Sequence, residues 1–286
     1  MAEIKNLVFE GGGVLGMAYA GAIETLHEEG KLEGIKNVAG TSAGSLIALI
    51  LSLGYSSSEL GNIVNSTNFK AFEDHWDPLR IVTKYGVYKG EFLLKYIQKI
   101  VSDKTGSPDT TFEELHHMNC LGLKVYACNL NTQSIKEFSY ELTPTVKVAE
   151  SVRASMSIPL FFSAWQFPDG NPDLHIYVDG GTVYNYPINA FNDLENTLGF
   201  FFKKPEGVVE SNLKYDNIMK YVESVFHSLL NAQKVNFNAN TSEVKKTVFI
   251  DTHGISATEF KLTDDQKTLL YNAGKEATKE YLKVIN

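Results

Sequence analysis

The chain has 286 residues, 43% of them apolar, enough to bury a large core. Its balance is acidic, 26 Lys and Arg against 34 Asp and Glu for a formal charge of −8. That argues against a general nucleic-acid binder, which needs a basic surface, and against an obligatory electrostatic grip on anionic membranes. Cys120 and Cys128 have no Cys or His partners at zinc-ligand spacing and read as free thiols, so neither a metal nor a cofactor is expected. Met1 to Asn6 is polar, with no secretory signal. The longest apolar stretch, Leu46 to Leu53, falls far short of the roughly 17 residues that span a bilayer. The expectation is a soluble, cytoplasmic protein whose contact with any membrane is peripheral.

Asn6 to Glu10 predicts a short buried strand that runs into Gly11-Gly12-Gly13-Val14-Leu15-Gly16. A helix follows to about Glu29, with apolar residues at Ala18, Ala22, Ile23 and Leu26 and a stop at Gly30. A second strand over Ile35 to Ala39 leads into Gly40-Thr41-Ser42-Ala43-Gly44, and the next helix ends at Gly54. Strand–helix–strand–helix implies a parallel sheet with right-handed crossovers. The segment 55–110 predicts mostly helix and is rich in aromatics: Phe69, Phe72, Trp76, Tyr85, Tyr88 and Phe92. A short helix fits Phe112 to Met118. Leu123 to Asn129 and Ser134 to Phe138 read as strands joined at Asn131-Thr132-Gln133. Val146 to Ser155 reads as a helix halted before Pro159, and Ile176 to Val178 as a strand running into Asp179. Leu198 to Phe202 and Val248 to Asp251 predict further strands; Tyr215 to Phe237 and Asp264 to Val284 predict long helices. With no repeat or interdomain linker, residues 1–286 read as one α/β domain.

Ser42 has the layout of a nucleophile elbow: a strand ends, the chain turns through the serine and a helix begins. Gly40 and Gly44 stand two positions either side, where larger side chains would collide. Acyl transfer by a serine also needs a base and donors for the developing oxyanion. The backbone N–H groups of Gly11 to Gly16, at the start of a helix, are suited to a small anion. The same residues fit G-x-G-x-x-G through Gly11, Gly13 and Gly16, the dinucleotide fingerprint. That fingerprint requires an acidic residue at the end of the second strand, where this chain has Gly40-Thr41-Ser42.

Two bases compete. Asp179 lies at a strand end with Gly180 and Gly181 behind it, which permits close approach to another backbone. An exposed aspartate, with a pKa of about 3.9, is a poor base at neutral pH, and partial burial would raise it. Its plain alternative is a turn aspartate capping a helix. His253, just after the strand ending at Asp251, gives the order Ser42, Asp179, His253 of an α/β-hydrolase triad. A non-catalytic lipid-binding or partner-dependent module that retains the elbow is the remaining reading.

Taken together, Gly11-Gly12-Gly13-Val14-Leu15-Gly16, Gly40-Thr41-Ser42-Ala43-Gly44 and Asp179-Gly180-Gly181 resemble the patatin-like phospholipases. Arg153-Ala154-Ser155-Met156-Ser157-Ile158-Pro159 and Asn185-Tyr186-Pro187 are also similar to blocks of that family, so the resemblance covers about residues 5–190. It implies a three-layer α/β/α fold with a central, mostly parallel sheet. It also implies a Ser–Asp dyad without histidine: Ser42 the nucleophile, Asp179 the base, and Gly11, Gly12 and Gly13 the oxyanion loop. The implied reaction is metal-free, phospholipase A-type hydrolysis of glycerophospholipid acyl esters through an acyl-serine. A lipid substrate, peripheral membrane contact and an activating protein are the partners it brings in. Leu15 stands where the family often has Arg or Lys, and Glu10 where Asp is frequent. The aromatics of Phe69 to Phe92 and the run Leu160-Phe161-Phe162 fit either core or an acyl-chain groove.

Overall fold

The structure, a computed structural model, describes residues 3–203 and 218–285. The chain opens with β1 (Asn6–Phe9), buried throughout, a 3-10 turn over Gly13–Met17 and helix α1 (Ala18–Glu28). The unit repeats as β2 (Asn37–Thr41) and α2 (Ala43–Ser52), with only Ser42 between strand and helix. Helix α3 (Ser57–Ser66) starts at a capping box. There Ser56 Oγ accepts from the Glu59 N–H and the Glu59 carboxylate accepts from the Ser56 N–H. A 3-10 turn over Phe69–Phe72, the short α4 (Arg80–Lys84) and β3 (Gly86–Tyr88) precede α5 (Glu91–Thr105) and α6 (Phe112–His117). Then come β4 (Gly122–Asn129), β5 (Ser134–Ser139), α7 (Val148–Ser155), β6 (Leu160–Phe162), β7 (Tyr177–Asp179) and β8 (Thr197–Lys203). The described chain ends with α8 (Ile218–Ala239), α9 (Thr241–Lys245), β9 (Thr247–Asp251) and α10 (Asp264–Ile285). Of the helix expected over Tyr215 to Phe237, the first three residues lie outside the described residues.

The fold is α/β, with a central and mostly parallel sheet flanked by helices. Its strands run in the order β5-β4-β2-β1-β8-β9, and β7 adds to β4. The four contacts from β4 to β9 are parallel, whereas β5 and β7 run antiparallel to β4. Alternation along the strands separates two cores. Leu7, Phe9, Val38, Phe200 and Phe202 face a large apolar cluster with α1, α2, α5, α7 and α10. Val8, Ala39 and Phe201 face a smaller cluster closed by Tyr186, Ile188 and, from α8, Phe237. Helices α1 and α10 pack so closely that a Cβ at Gly21 would collide with the Tyr271 carbonyl, and one at Gly274 with the Ala18 carbonyl.

The 55–110 segment departs from the expected run of helix. Gly86–Tyr88 is a strand, and it pairs in parallel with Leu160–Phe162 as a separate two-stranded sheet. A partner more than seventy positions away leaves no local pattern, and the aromatics there suit a helix face equally well. Arg153 ties this small sheet to the main body. It is 1% exposed, and its guanidinium donates to the carbonyls of Gly90 (3.0 Å), Lys89 (3.2 Å) and Ser163 (3.2 Å) and to Ser157 Oγ (2.6 Å). Burial lowers its pKa to about 10, so at neutral pH the side chain stays charged and stacks over Phe162 and Trp165. Replacing it leaves Ser157 Oγ and the partly buried Lys89 and Ser163 carbonyls without its guanidinium, each contact worth about 1–3 kcal/mol, while the Gly90 carbonyl keeps the Leu94 N–H. Arg153→Met should therefore lower the free energy of unfolding by about 3 kcal/mol or more, measured by urea denaturation. A loss below about 1 kcal/mol would contradict the clamp.

Candidate active site

Ser42 links β2 to α2 with φ 52° and ψ −128°, a conformation that costs a non-glycine residue about 1–3 kcal/mol and persists only where its surroundings enforce it. The enforcement is visible. Ser42 N–H donates to Ser155 Oγ at 2.8 Å, and Ser155 Oγ donates in turn to the Tyr126 carbonyl at 2.6 Å. On the other side, the Ser42 carbonyl accepts from Ser45 N–H (2.9 Å) and Ser45 Oγ (2.6 Å). The glycines of the motif give the room. A Cβ at Gly40 would run into the Gly44 carbonyl, and one at Gly44 into the carbonyls of Phe9 and Glu10 at the end of β1. Sequence reasoning did not assign Ser155; it lies within the Arg153–Pro159 block, which gave no role for its hydroxyl.

Strand β4 brings the carboxylate to this serine. It pairs in parallel with β2 up to Thr41↔Tyr126, and β7 takes over the same edge in antiparallel sense from Asp179↔Ala127. The end of β2 and the end of β7 thus occupy adjacent rungs, roughly 3.3 Å apart along β4. Gly180 makes that approach possible, since a Cβ there would overlap the Tyr126 carbonyl and lie 2.8 Å from Thr41 Cγ2. Ser42 Oγ donates to Asp179 Oδ2 at 2.6 Å, and Gly181 N–H donates to Asp179 Oδ1 at 2.7 Å. Burial raises the Asp179 pKa from the usual carboxylate range to about 7, against the opposing pull of those two hydrogen bonds.

The glycine loop crosses the same spot, where Gly11 packs against the Ser42 Cβ. Its three leading residues divide the work. Gly11 N–H is taken by the Asn185 carbonyl at 3.0 Å, while Gly12 and Gly13 N–H have no acceptor among the described residues. Gly13, at φ 53°, adopts a left-handed backbone, and a side chain there would strike the Ala257 carbonyl. Gly16 faces Ala43, where a Cβ would be tight at 3.3 Å. Asn185 also donates from Nδ2 to Gly11 O (3.1 Å) and to Glu10 Oε1 (3.0 Å). Glu10, buried before the loop, accepts from Phe202 N–H at 2.7 Å and has Lys234 at 3.8 Å. Burial raises its pKa to about 7, partly offset by Lys234. From α8, Gln233 accepts from Asn185 N–H (2.8 Å) and donates to the Gly181 carbonyl (2.7 Å), so one side chain braces the segment after β7 at two points. Leu15, where a cation would be usual, is buried in the core.

An apolar cleft opens over Ser42, with about 610 Å³ of empty space including its open mouth. Gly13, Leu46, Phe69, Phe72, Tyr96 and Phe162 are among its walls, so part of the aromatic segment belongs to the cleft. Phe72 and Phe162 are buried core residues as well. His253 is elsewhere. It follows β9, three strands from β2 in the sheet order, and it is exposed. Ser42 Oγ thus donates directly to Asp179, and among the described residues neither side chain has a hydrogen bond to the His253 side chain. Among the described residues no group of three or more His, Cys, Asp or Glu could hold a metal ion. No described helix is long and apolar enough to cross a membrane. Cys120 and Cys128 are free thiols.

The family model described as Patatin-like phospholipase matches residues 7–192. The uncharacterized protein R571 of Acanthamoeba polyphaga mimivirus is 29% identical over 294 residues, covering 100% of this chain and 96% of the relative. The probable lipid hydrolase 463L of Invertebrate iridescent virus 6 is 27% identical over 194 residues, 65% of this chain and 62% of the relative. Among solved structures, VipD from Legionella pneumophila superposes with a TM-score of 0.68 over 99% of this chain and 67% of that one, at 19% identity, a likeness of fold. The chain belongs to the patatin-like phospholipase family, and by that membership it is a lipid hydrolase.

Proposed function

We propose that the chain hydrolyses acyl esters of glycerophospholipids, a phospholipase A-type reaction, through an acyl-serine intermediate on Ser42 with Asp179 as its base. The observation that carries this reading is the 2.6 Å hydrogen bond from Ser42 Oγ to a buried carboxylate held at the end of β7. As Oγ attacks the ester carbonyl, its proton passes to Asp179 Oδ2. The oxyanion of the tetrahedral intermediate is received by Gly12 and Gly13 N–H at the head of the glycine loop, beside the N-terminus of α2. Gly11 serves by anchoring the loop, its own N–H being committed to Asn185. Collapse expels the lysolipid alkoxide, which takes the proton from Asp179. A water then attacks the acyl-serine with Asp179 again as base and releases the fatty acid. The acyl chain occupies the cleft walled by Phe69, Phe72 and Phe162. Substrate reaches it by peripheral contact with a membrane.

Ser42→Ala and Asp179→Asn should each lower turnover of mixed phospholipid vesicles by about a thousandfold or more, while His253→Ala stays within about threefold of native. A His253→Ala enzyme as inactive as Ser42→Ala would replace the dyad with a triad. Fluorophosphonate labelling of Ser42 in the purified chain removes the need for an activating protein. Labelling only in cell extract assigns one, and none under either condition argues for a non-catalytic module.

The pH dependence follows from the buried base. Asp179 is active ionised, so kcat/KM should rise about tenfold per pH unit below about 7 and level off above it. Stability runs the other way. Asp179 and Glu10 both have folded-state pKa values raised to about 7, from an unfolded value near 4. Their contribution is complete below about pH 4 and is lost as pH rises to 7, because ionising them in the fold is the unfavourable step. Urea midpoints across pH 4–8 should fall with pH in the native chain and fall less in Asp179→Asn. Equal slopes would refute the assignment.

A further inference from the structure

Large apolar side chains are usually exposed singly, yet one short stretch of this chain exposes four: Trp76 is 62% exposed, Leu79 76%, Val82 79% and Tyr85 50%. They sit on and around α4, five residues long. Tyr85 ends that helix at φ 62°, its N–H bonded to the Ile81 carbonyl. The stretch is not loose. Asp77 N–H donates to the Val87 carbonyl (2.9 Å) and Ala164 N–H to the Lys84 carbonyl (3.0 Å), so α4 is fastened to the β3–β6 sheet. What faces outward does so from a held backbone.

The charges around it are sorted. Asp74 turns inward to the N–H groups of Gly90 (2.6 Å) and Phe92 (2.7 Å), and Asp77 caps the Leu79 N–H (2.9 Å). Lys89 is paired with Glu91 at 2.6 Å. Arg80 and Lys84 have no carboxylate partner among the described residues. The patch is also linked to walls of the cleft along the chain and through the small sheet. Phe72, a wall of the cleft, lies four residues before Trp76 and packs on Phe92, itself 43% exposed. Phe162, another wall, belongs to the strand paired with β3.

Aromatic and aliphatic side chains beside cations with no carboxylate partner among the described residues have the chemistry of a surface helix at a lipid interface. We propose that residues 76–85 are a docking surface for an anionic lipid bilayer, with Trp76, Leu79, Val82 and Tyr85 at the acyl boundary and Arg80 and Lys84 against lipid phosphates. With a net charge of −8 on the whole chain, an anionic surface favours approach by a face that carries cations. The inference rests on the proposed function for its link to catalysis, because docking there sets the cleft mouth against the bilayer.

The test is flotation with phosphatidylcholine vesicles with and without phosphatidylserine, using the native chain, Ser42→Ala, Leu79→Asp/Val82→Asp and Arg80→Glu/Lys84→Glu. Native and Ser42→Ala should float alike, so loss of catalysis does not touch this readout. The apolar double variant should bind about tenfold more weakly to both vesicles. The charge variant should lose at least about fivefold per cation replaced, on phosphatidylserine vesicles only. Thermal melts and turnover of a soluble short-chain ester should match native in both double variants, since neither pair lines the cleft. Flotation unchanged in both double variants overturns the proposal. So does failure of the native chain to float, which leaves a protein partner as the occupant. A solution dimer that the Leu79→Asp/Val82→Asp change dissociates would overturn it too, by assigning the patch to a second copy.

Discussion

Everything at the site depends on one edge of one strand. β4 carries β2 as far as Tyr126 and β7 from Ala127 onward, so two chain ends separated by more than 130 residues meet head to head on consecutive rungs. Sheet register is set in whole residues, and a slip of one position turns every side chain to the opposite face. The meeting of Ser42 with Asp179 is therefore fixed by backbone pairing rather than by the reach of flexible side chains. Gly180 permits the approach, and Ser155 holds the elbow from the third side while bonding the carbonyl of Tyr126, the same β4 residue that pairs with Thr41.

Burial raises the basicity of the Asp179 carboxylate and makes it costly to keep. A surface aspartate would be ionised but feeble as a base; a buried one is more basic and less comfortable when charged. Glu10 repeats the problem one residue before the glycine loop, with Lys234, Asn185 and Phe202 N–H as compensation. These compensating groups come from β8, from the loop after β7 and from α8. The polar interior is thus a junction where distant segments must agree, and Gln233 spans it by touching Asn185 and Gly181 at once. Such a network is stabilising only when complete.

Much of this was legible in the chain. Glycines flanking Ser42, a glycine run after the first strand and Asp-Gly-Gly after a late strand each have a local steric reason, and local reasons survive in sequence. The strand–helix alternation gave the parallel sheet for the same cause. What stayed hidden was relational. The β3–β6 pairing, the hydroxyl of Ser155 and the capture of the Gly11 N–H by Asn185 depend on partners that no window of residues contains. The aromatics between Phe69 and Phe92 were ambiguous because they do two jobs. Phe72 is core and cleft wall at once, while Trp76 and Tyr85 are neither.

The backbone-to-backbone seating of α1 on α10 has its own consequence. Thr25 Oγ donates to the Lys275 carbonyl across a separation of 250 residues, and the helix so braced is the one that continues the glycine loop. Two segments about 250 residues apart thereby share one wall behind the glycine loop. Slack between α1 and α10 would therefore be felt at the glycine-loop amides, through the turn that α1 continues.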